Sequence, residues 1–242
     1  MKIILCGYHW TGCKALQDIL ELGHEVFVYT HENPYHIPSL IDICIKNGVL
    51  FSTLDISESK LPFVPDVICS IFYRYIIKDH IIRVCNGRIF NLHPSLLPKY
   101  RGCSSLTWAL INGEKFAGFT FHYITNKIDE GRIIIQERIK IEDFDNQGTL
   151  YNRVMFNSLV RFKEVLSLVI NNFAGYAQVG DSSYYKRGCP YNGIIDNEWD
   201  DNFIERFIRA MVFPPYSVAM YKNREVKSFS EYLELKNQVP KN

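Results

Sequence analysis

Two side chains one residue apart, Asn91 and His93, are the residues whose types and spacing best suit chemistry. They close the run Gly87-Arg88-Ile89-Phe90-Asn91 and stand just before Pro94. A proline disfavours the helical region for the residue that precedes it. Residues two apart on an extended chain point to the same face. Asn91 and His93 are therefore expected side by side where a short buried strand ends. Pro94, Pro98 and Gly102 then turn the chain into an irregular loop. The ends of strands are where open α/β sheets bind their ligands.

An imidazole titrates near pH ~6.5 and can take or give a proton near neutrality. A carboxamide offers two hydrogen-bond donors without charge. Together they suit attack on a carbonyl: one holds the developing oxyanion, the other handles the nucleophile's proton. A carboxylate would orient the ring and favour its cationic form. Asp129, in Ile128-Asp129-Glu130-Gly131, is the candidate, with Glu130 and Asp143 as alternatives. Asn, His and Pro at a strand end are also ordinary turn residues, as is an Asp near a glycine.

These residues carry a resemblance. Asn91-x-His93-Pro94-Ser95-x-Leu97-Pro98-x-Tyr100-Arg101-Gly102, then Gly118-x-Thr120, then Asp129-x-Gly131-x-Ile133, is similar to the formyltransferases that use 10-formyltetrahydrofolate. The likeness is specific over 72–136 and weaker over the first 70 or so residues. It implies that Asn91, His93 and Asp129 form a catalytic triad. It also implies that the folate head group lies against backbone at Tyr75, Ile76 and Ile77 and along the loop from Ile124 through Ile128 to Asp129. No metal is implied.

Composition sets bounds. The chain has 242 residues, 47% of them apolar and 22% charged, as in globular proteins that bury a good core. A net charge of +1 supplies no field for nucleic acid or an anionic membrane. Seven scattered cysteines without a Cys-x-x-Cys pair suggest neither a zinc site nor a disulfide framework. They point to a reducing cytoplasm. The start Met-Lys-Ile-Ile-Leu-Cys-Gly is too soon broken for a signal peptide, and no apolar run approaches the ~20 residues of a membrane span.

The elements needed to position the pair follow from patterning. Lys2–Cys6, Glu25–Tyr29, Val49–Phe51 and Asp66–Ile71 read as strands, with helices over Thr11–Leu22 and Ser39–Asn47. That alternation predicts an α/β fold: a doubly wound, Rossmann-like, mostly parallel sheet. A short helix is expected over Ile77–Val84 and another over Ser105–Ile111. Ala117–Ile124 and Ile133–Ile141 read as strands, and one long amphipathic helix as spanning Leu150–Asn171. The composition then shifts at Asn171-Asn172. We expect residues 1–172 to form the catalytic domain, and 173–242 a small α+β appendage that serves a substrate site, a dimer contact, or both.

Substrate contacts are expected at three places. The loop Gly7–Lys14 mimics a phosphate loop but places Lys14 one position late and Ala15 where Ser or Thr is required. Its aromatic tip, Tyr8, His9 and Trp10, either caps the sheet or lines the acceptor pocket; the family resemblance favours the pocket. Lys78 could meet a phosphate or be a solvated charge. Tyr184, Tyr185 and Lys186 could stack on a base and pair with a diphosphate, or form an exposed hairpin. Arg209-Ala210-x-x-Phe213-Pro214-Pro215 resembles a segment of formyltransferases acting on nucleotide-linked sugars.

Beyond Phe173 the chain carries nine Lys or Arg and nine Asp or Glu, a poor clamp for tRNA phosphates. The Tyr- and Pro-rich tail resembles the sugar branch best. That branch implies a dTDP-linked 3- or 4-amino-dideoxyhexose as acceptor, 10-formyltetrahydrofolate as donor, a homodimer, and a role in surface-polysaccharide (O-antigen, lipopolysaccharide) synthesis. The competing readings are a methionyl-tRNA formyltransferase-like enzyme, a formyl-folate hydrolase, and a non-catalytic folate or sugar-nucleotide binding protein.

Overall fold

Each early apolar run becomes a strand of one sheet. A computed structural model describes residues 1–238. In chain order the elements are β1 (Lys2–Gly7), α1 (His9–Glu21), β2 (Glu25–Tyr29), α2 (Leu40–Lys46), β3 (Phe51–Ser52), β4 (Val67–Ile71), α3 (Asp79–Val84), β5 (Ile89–His93), β6 (Arg101–Gly102), α4 (Ser105–Ile111), β7 (Phe116–Tyr123), β8 (Ile133–Lys140), α5 (Gln147–Val160), α6 (Phe162–Ile170), β9 (Tyr184–Tyr185), α7 (Asp201–Met211), β10 (Ala219–Tyr221), β11 (Arg224–Val226) and α8 (Phe229–Asn237).

The main sheet has the order β3-β2-β1-β4-β5-β7-β8. Strands β1 to β5 pair in parallel, and β7 runs antiparallel to β5. Parallel strands are covered on both faces, which is why β1 and β4 read as unbroken apolar runs. Ile3, Ile4, Leu5 and Cys6 are fully buried, as are Val67, Ile68 and Cys69. The winding reverses between β1 and β4, because β2 and β3 lie to one side of β1 and later strands to the other. Crevices at such a reversal are the binding places of open sheets. The expected α/β class and doubly wound sheet are those observed.

The described chain packs as two units. The first comprises Met1–His93, Phe119–Glu137 and Met155–Gly180; the second comprises Pro94–Gly118, Arg138–Val154 and the chain from Asp181. The units therefore do not follow a single cut at residue 172, since residues 173–180 pack with the first. Within the second, the amphipathic helix α7 buries Ile204, Phe207, Ile208 and Ala210, and Asp200 caps it by accepting from the Phe203 N–H. Strands β10 and β11 pair antiparallel across Lys222 and Asn223, whose φ of 47° and 62° belong to a tight two-residue hairpin turn.

Two local expectations are corrected. The single helix over Leu150–Asn171 is two helices, broken at Arg161. There the Ser158 hydroxyl returns to the Met155 carbonyl, and the Arg161 N–H closes a tight turn on Ser158. The Tyr184–Tyr185 segment is not a hairpin: it pairs in parallel with Arg101–Gly102. A pairing of strands some eighty residues apart leaves no local turn signal to read. Among the described residues no helix is long and apolar enough to cross a membrane.

Candidate active site

The site residues come together in the first unit. In the ladder between β5 and β7, Asn91 lies opposite His122 and His93 opposite Thr120. Asn91 and His93 share a face, so His122 and Thr120 share it too. On the other flank β4 brings Ser70 opposite Asn91. The Ser70 hydroxyl donates to Asn91 Oδ1 at 2.9 Å. That bond turns the Asn91 amide nitrogen towards His122 Nε2, 3.3 Å away.

The tautomer of His122 follows from its other nitrogen. Nδ1 lies 2.9 Å from the Tyr123 carbonyl, which can only accept. Nδ1 therefore carries a proton, and in the neutral ring Nε2 accepts from Asn91. This arrangement fixes the orientation of the carboxamide at the end of β5.

Asp129 reaches the same place from the turn between β7 and β8. Its Oδ2 lies 3.6 Å from His93 Nδ1 and its Oδ1 lies 3.5 Å from His122 Nε2. The carboxylate thus stands between two imidazoles at ion-pair distance, longer than a tight hydrogen bond. All three side chains are nearly dry, with 5%, 2% and 12% exposure for His93, His122 and Asp129. Charge placed in so dry a site acts more strongly than at the surface. Of the alternatives, Glu130 pairs with Lys127, and Asp143 belongs to the second unit.

The backbone builds this geometry at some cost. Asp129 adopts φ 53°, a left-handed conformation that Asp tolerates better than most residues. Gly131 packs against β7 so closely that a Cβ there would lie 1.7 Å from the Tyr123 carbonyl oxygen. Beside them Gln136 donates to the Thr120 hydroxyl at 2.8 Å.

The residues expected to face folate divide. Ile76 and Ile128 are exposed apolar side chains, at 72% and 44%. Tyr75 is half-buried, packed edge-on against Tyr73 and beneath the Arg74 guanidinium. Ile77 belongs to the core with Ile4, Ile68 and Ile89, so only its backbone can serve a ligand, and Ile124 packs against that cluster.

Tyr8, His9 and Trp10 are all half-buried. Tyr8 stacks on Phe72 and lies 3.8 Å, ring centre to ring centre, from His31. Burial lowers the pKa of His9 to about 4; burial, with the Arg74 charge, does the same for His31. The remaining expected contacts fare differently. Lys78 is held by Glu58 in an exposed ion pair, which leaves it as a surface charge. Tyr185 is closed into a stack between Tyr100 and Trp108, and its hydroxyl accepts from Asn112, so its faces are taken. Tyr184 points the other way and is 53% exposed, with Lys186 also exposed. Phe213 packs against Tyr151 and Tyr216. These last four belong to the second unit.

Three of the residues around the triad, His122, Ser70 and Gln136, escaped the sequence reading. A signal was there. Thr120 and His122 are polar positions two apart inside the apolar run Phe119–Tyr123, and polar groups on a buried strand need hydrogen-bond partners.

Comparisons with known proteins show the family. Residues 52–166 match the formyl transferase family. A GDP-perosamine N-formyltransferase from Brucella melitensis is 34% identical over 91% of this chain and 88% of its own length. The bifunctional polymyxin resistance protein ArnA of Wigglesworthia glossinidia brevipalpis is 36% identical over 88% of this chain and 35% of its own. The solved structure of WlaRD, a sugar 3N-formyl transferase in the presence of dTDP and 5-N-formyl-THF, superposes with a TM-score of 0.80 at 28% identity, covering 94% of this chain and 85% of that one. On motif, fold and sequence alike, the chain belongs to the formyl transferase family and is a formyltransferase.

Proposed function

We propose that the protein transfers a formyl group from 10-formyltetrahydrofolate to the amino group of a nucleoside diphosphate-linked amino sugar. The observation that carries the reading is the Asp129 carboxylate set between His93 and His122 beside the oriented Asn91 amide. One Asn91 amide hydrogen faces His122; the other is available to a substrate oxygen. Asn91 donates to that oxygen as charge develops on it. His93 takes the proton from the attacking amine, directly or through water, and passes it to the folate nitrogen as the bond between that nitrogen and the formyl carbon breaks, which releases tetrahydrofolate. Asp129 stabilises the imidazolium while it lasts and holds the ring in place. His122, with its proton on Nδ1, accepts from Asn91 and so positions the carboxamide.

The relatives support a sugar acceptor over tRNA or water. They divide over the nucleotide: the Brucella relative is named for GDP-perosamine, whereas WlaRD was crystallised with dTDP. We favour dTDP with a 3- or 4-amino-dideoxyhexose, on the sugar-branch likeness of the tail. GDP is the second reading, on the Brucella relative. The deciding experiment is calorimetric titration of the purified protein with dTDP, GDP, UDP and tetrahydrofolate. Binding of dTDP with no response to GDP supports the first reading, and the converse the second. Folate binding without either nucleotide overturns the sugar-nucleotide assignment. Formate released without any amine would replace transfer by hydrolysis.

A further inference from the structure

We infer that Gln178, in the segment that follows the last helix of the first unit, is a positioning residue for the catalytic carboxylate. The inference rests on the reading of Asp129 given above and assigns a new role to a stretch expected only as the beginning of an appendage. Residues 173–178 lie as a strap along the turn between β7 and β8. The Tyr123 hydroxyl donates to the Phe173 carbonyl. Arg132 donates to the carbonyls of Ala174 and Gly175, each at 2.7 Å. Ile133 and Tyr176 exchange two backbone bonds, at 2.7 and 2.8 Å. At the end of the strap a side chain donates back to the turn. The Gln178 side-chain nitrogen donates to the Asp129 carbonyl at 2.7 Å and to the Gly131 carbonyl at 2.8 Å.

Those two carbonyls flank a turn with two local constraints. Asp129 is left-handed, and Gly131 is pressed against Tyr123. A single amide group clamps both ends of the strained turn. The carboxylate it carries stands 3.6 and 3.5 Å from its two imidazoles, so a small rotation of the turn would lose both contacts.

The test compares Gln178→Glu, which keeps the shape and loses the donors, with Gln178→Lys, which keeps donors at the end of a flexible chain. Gln178→Glu should lower kcat by about 10- to 100-fold, the order expected of a misplacement near 1 Å, with the KM of donor and acceptor little changed. Gln178→Lys should recover most of that loss. Hydrogen exchange of residues 128–133 should speed up in Gln178→Glu and return towards wild type in Gln178→Lys. Unchanged kcat and exchange in Gln178→Glu would overturn the inference, as would a loss confined to KM. The exchange arm needs no substrate. A wild-type protein without formyl transfer would sink the proposed function, while faster exchange in Gln178→Glu would still support the clamp.

Discussion

Replacing Gly131 with alanine should separate folding from catalysis. The new Cβ would sit 1.7 Å from the Tyr123 carbonyl oxygen, where real contacts are not closer than 3.0 Å; the difference, 3.0 − 1.7, is 1.3 Å. The obstacle is backbone of a central strand, so the turn must do the moving. Tyr123 donates to the Arg132 carbonyl at 2.9 Å, and a shift of that size opens this bond. Losing that bond, between a half-buried residue and an exposed one, costs about 1 kcal/mol, which a domain of this size survives. Asp129 lies two residues away on the same turn, and its carboxylate moves with it. A misplacement near 1 Å costs on the order of 100-fold in turnover. The assay is steady-state release of tetrahydrofolate in the presence of the amino-sugar acceptor, alongside a thermal melt. Gly148→Ala is the control, since its Cβ meets nothing closer than 3.4 Å. Gly131→Ala should melt cooperatively a few degrees lower and turn over about 100-fold more slowly. A folded Gly131→Ala protein with wild-type turnover would refute the argument that this turn fixes the carboxylate.

Other perturbations test the rest of the site. Asp129→Asn keeps the shape and removes the charge between the imidazoles; kcat should fall by about 100- to 10,000-fold while nucleotide binding, measured by calorimetry, is retained. Ser70→Ala frees the Asn91 carbonyl, so the amide can rotate; kcat should drop about tenfold, roughly one hydrogen bond's worth, at unchanged melting temperature within a few degrees. His9 and His31 titrate near 4 when folded, below their ordinary 6.5. The unfolded chain therefore binds more protons between those values, and stability must fall as pH drops from about 6.5 towards 4. The urea midpoint should decline between pH 7 and 5, and His31→Phe should flatten that slope; a midpoint that rises on acidification would contradict the burial of these rings.

Much of the fold was legible because its signals are local. Strands β1, β4 and β5 announce themselves as short apolar runs closed by glycine, proline or polar residues, and α2 begins at Ser39, whose hydroxyl accepts from the Asp42 N–H as a cap should. The pair Asn91 and His93 could be placed on one face from strand periodicity alone. What the sequence hid is what depends on pairing across the chain. His122 becomes a neighbour of Asn91 through the β5–β7 register, and Gln178 becomes a neighbour of Asp129 through a strap 49 residues further on. Tyr185 reads from sequence as a ring beside the Lys186 cation, and only the parallel pairing with Arg101–Gly102 turns it into the Trp108 stack. The break at Arg161 was concealed because Phe162, Val165, Leu166 and Val169 continue the apolar spacing through it.

The interleaving of the two units constrains how such a chain can be altered. The first unit draws on three separated stretches. Any block long enough to carry Asn91, Asp129 and Gln178 together also carries 94–118 and 138–154, which belong to the second. Recombination between related chains cannot exchange the catalytic unit alone, and a crossover at residue 172 would strip the turn of its strap. The stretch from Asp181 onward is different: it can be exchanged as one block without removing a residue of the first unit. Chimaeras joined after Gly180 are therefore the natural way to graft a new tail onto an unchanged Asn91–His93–Asp129 centre.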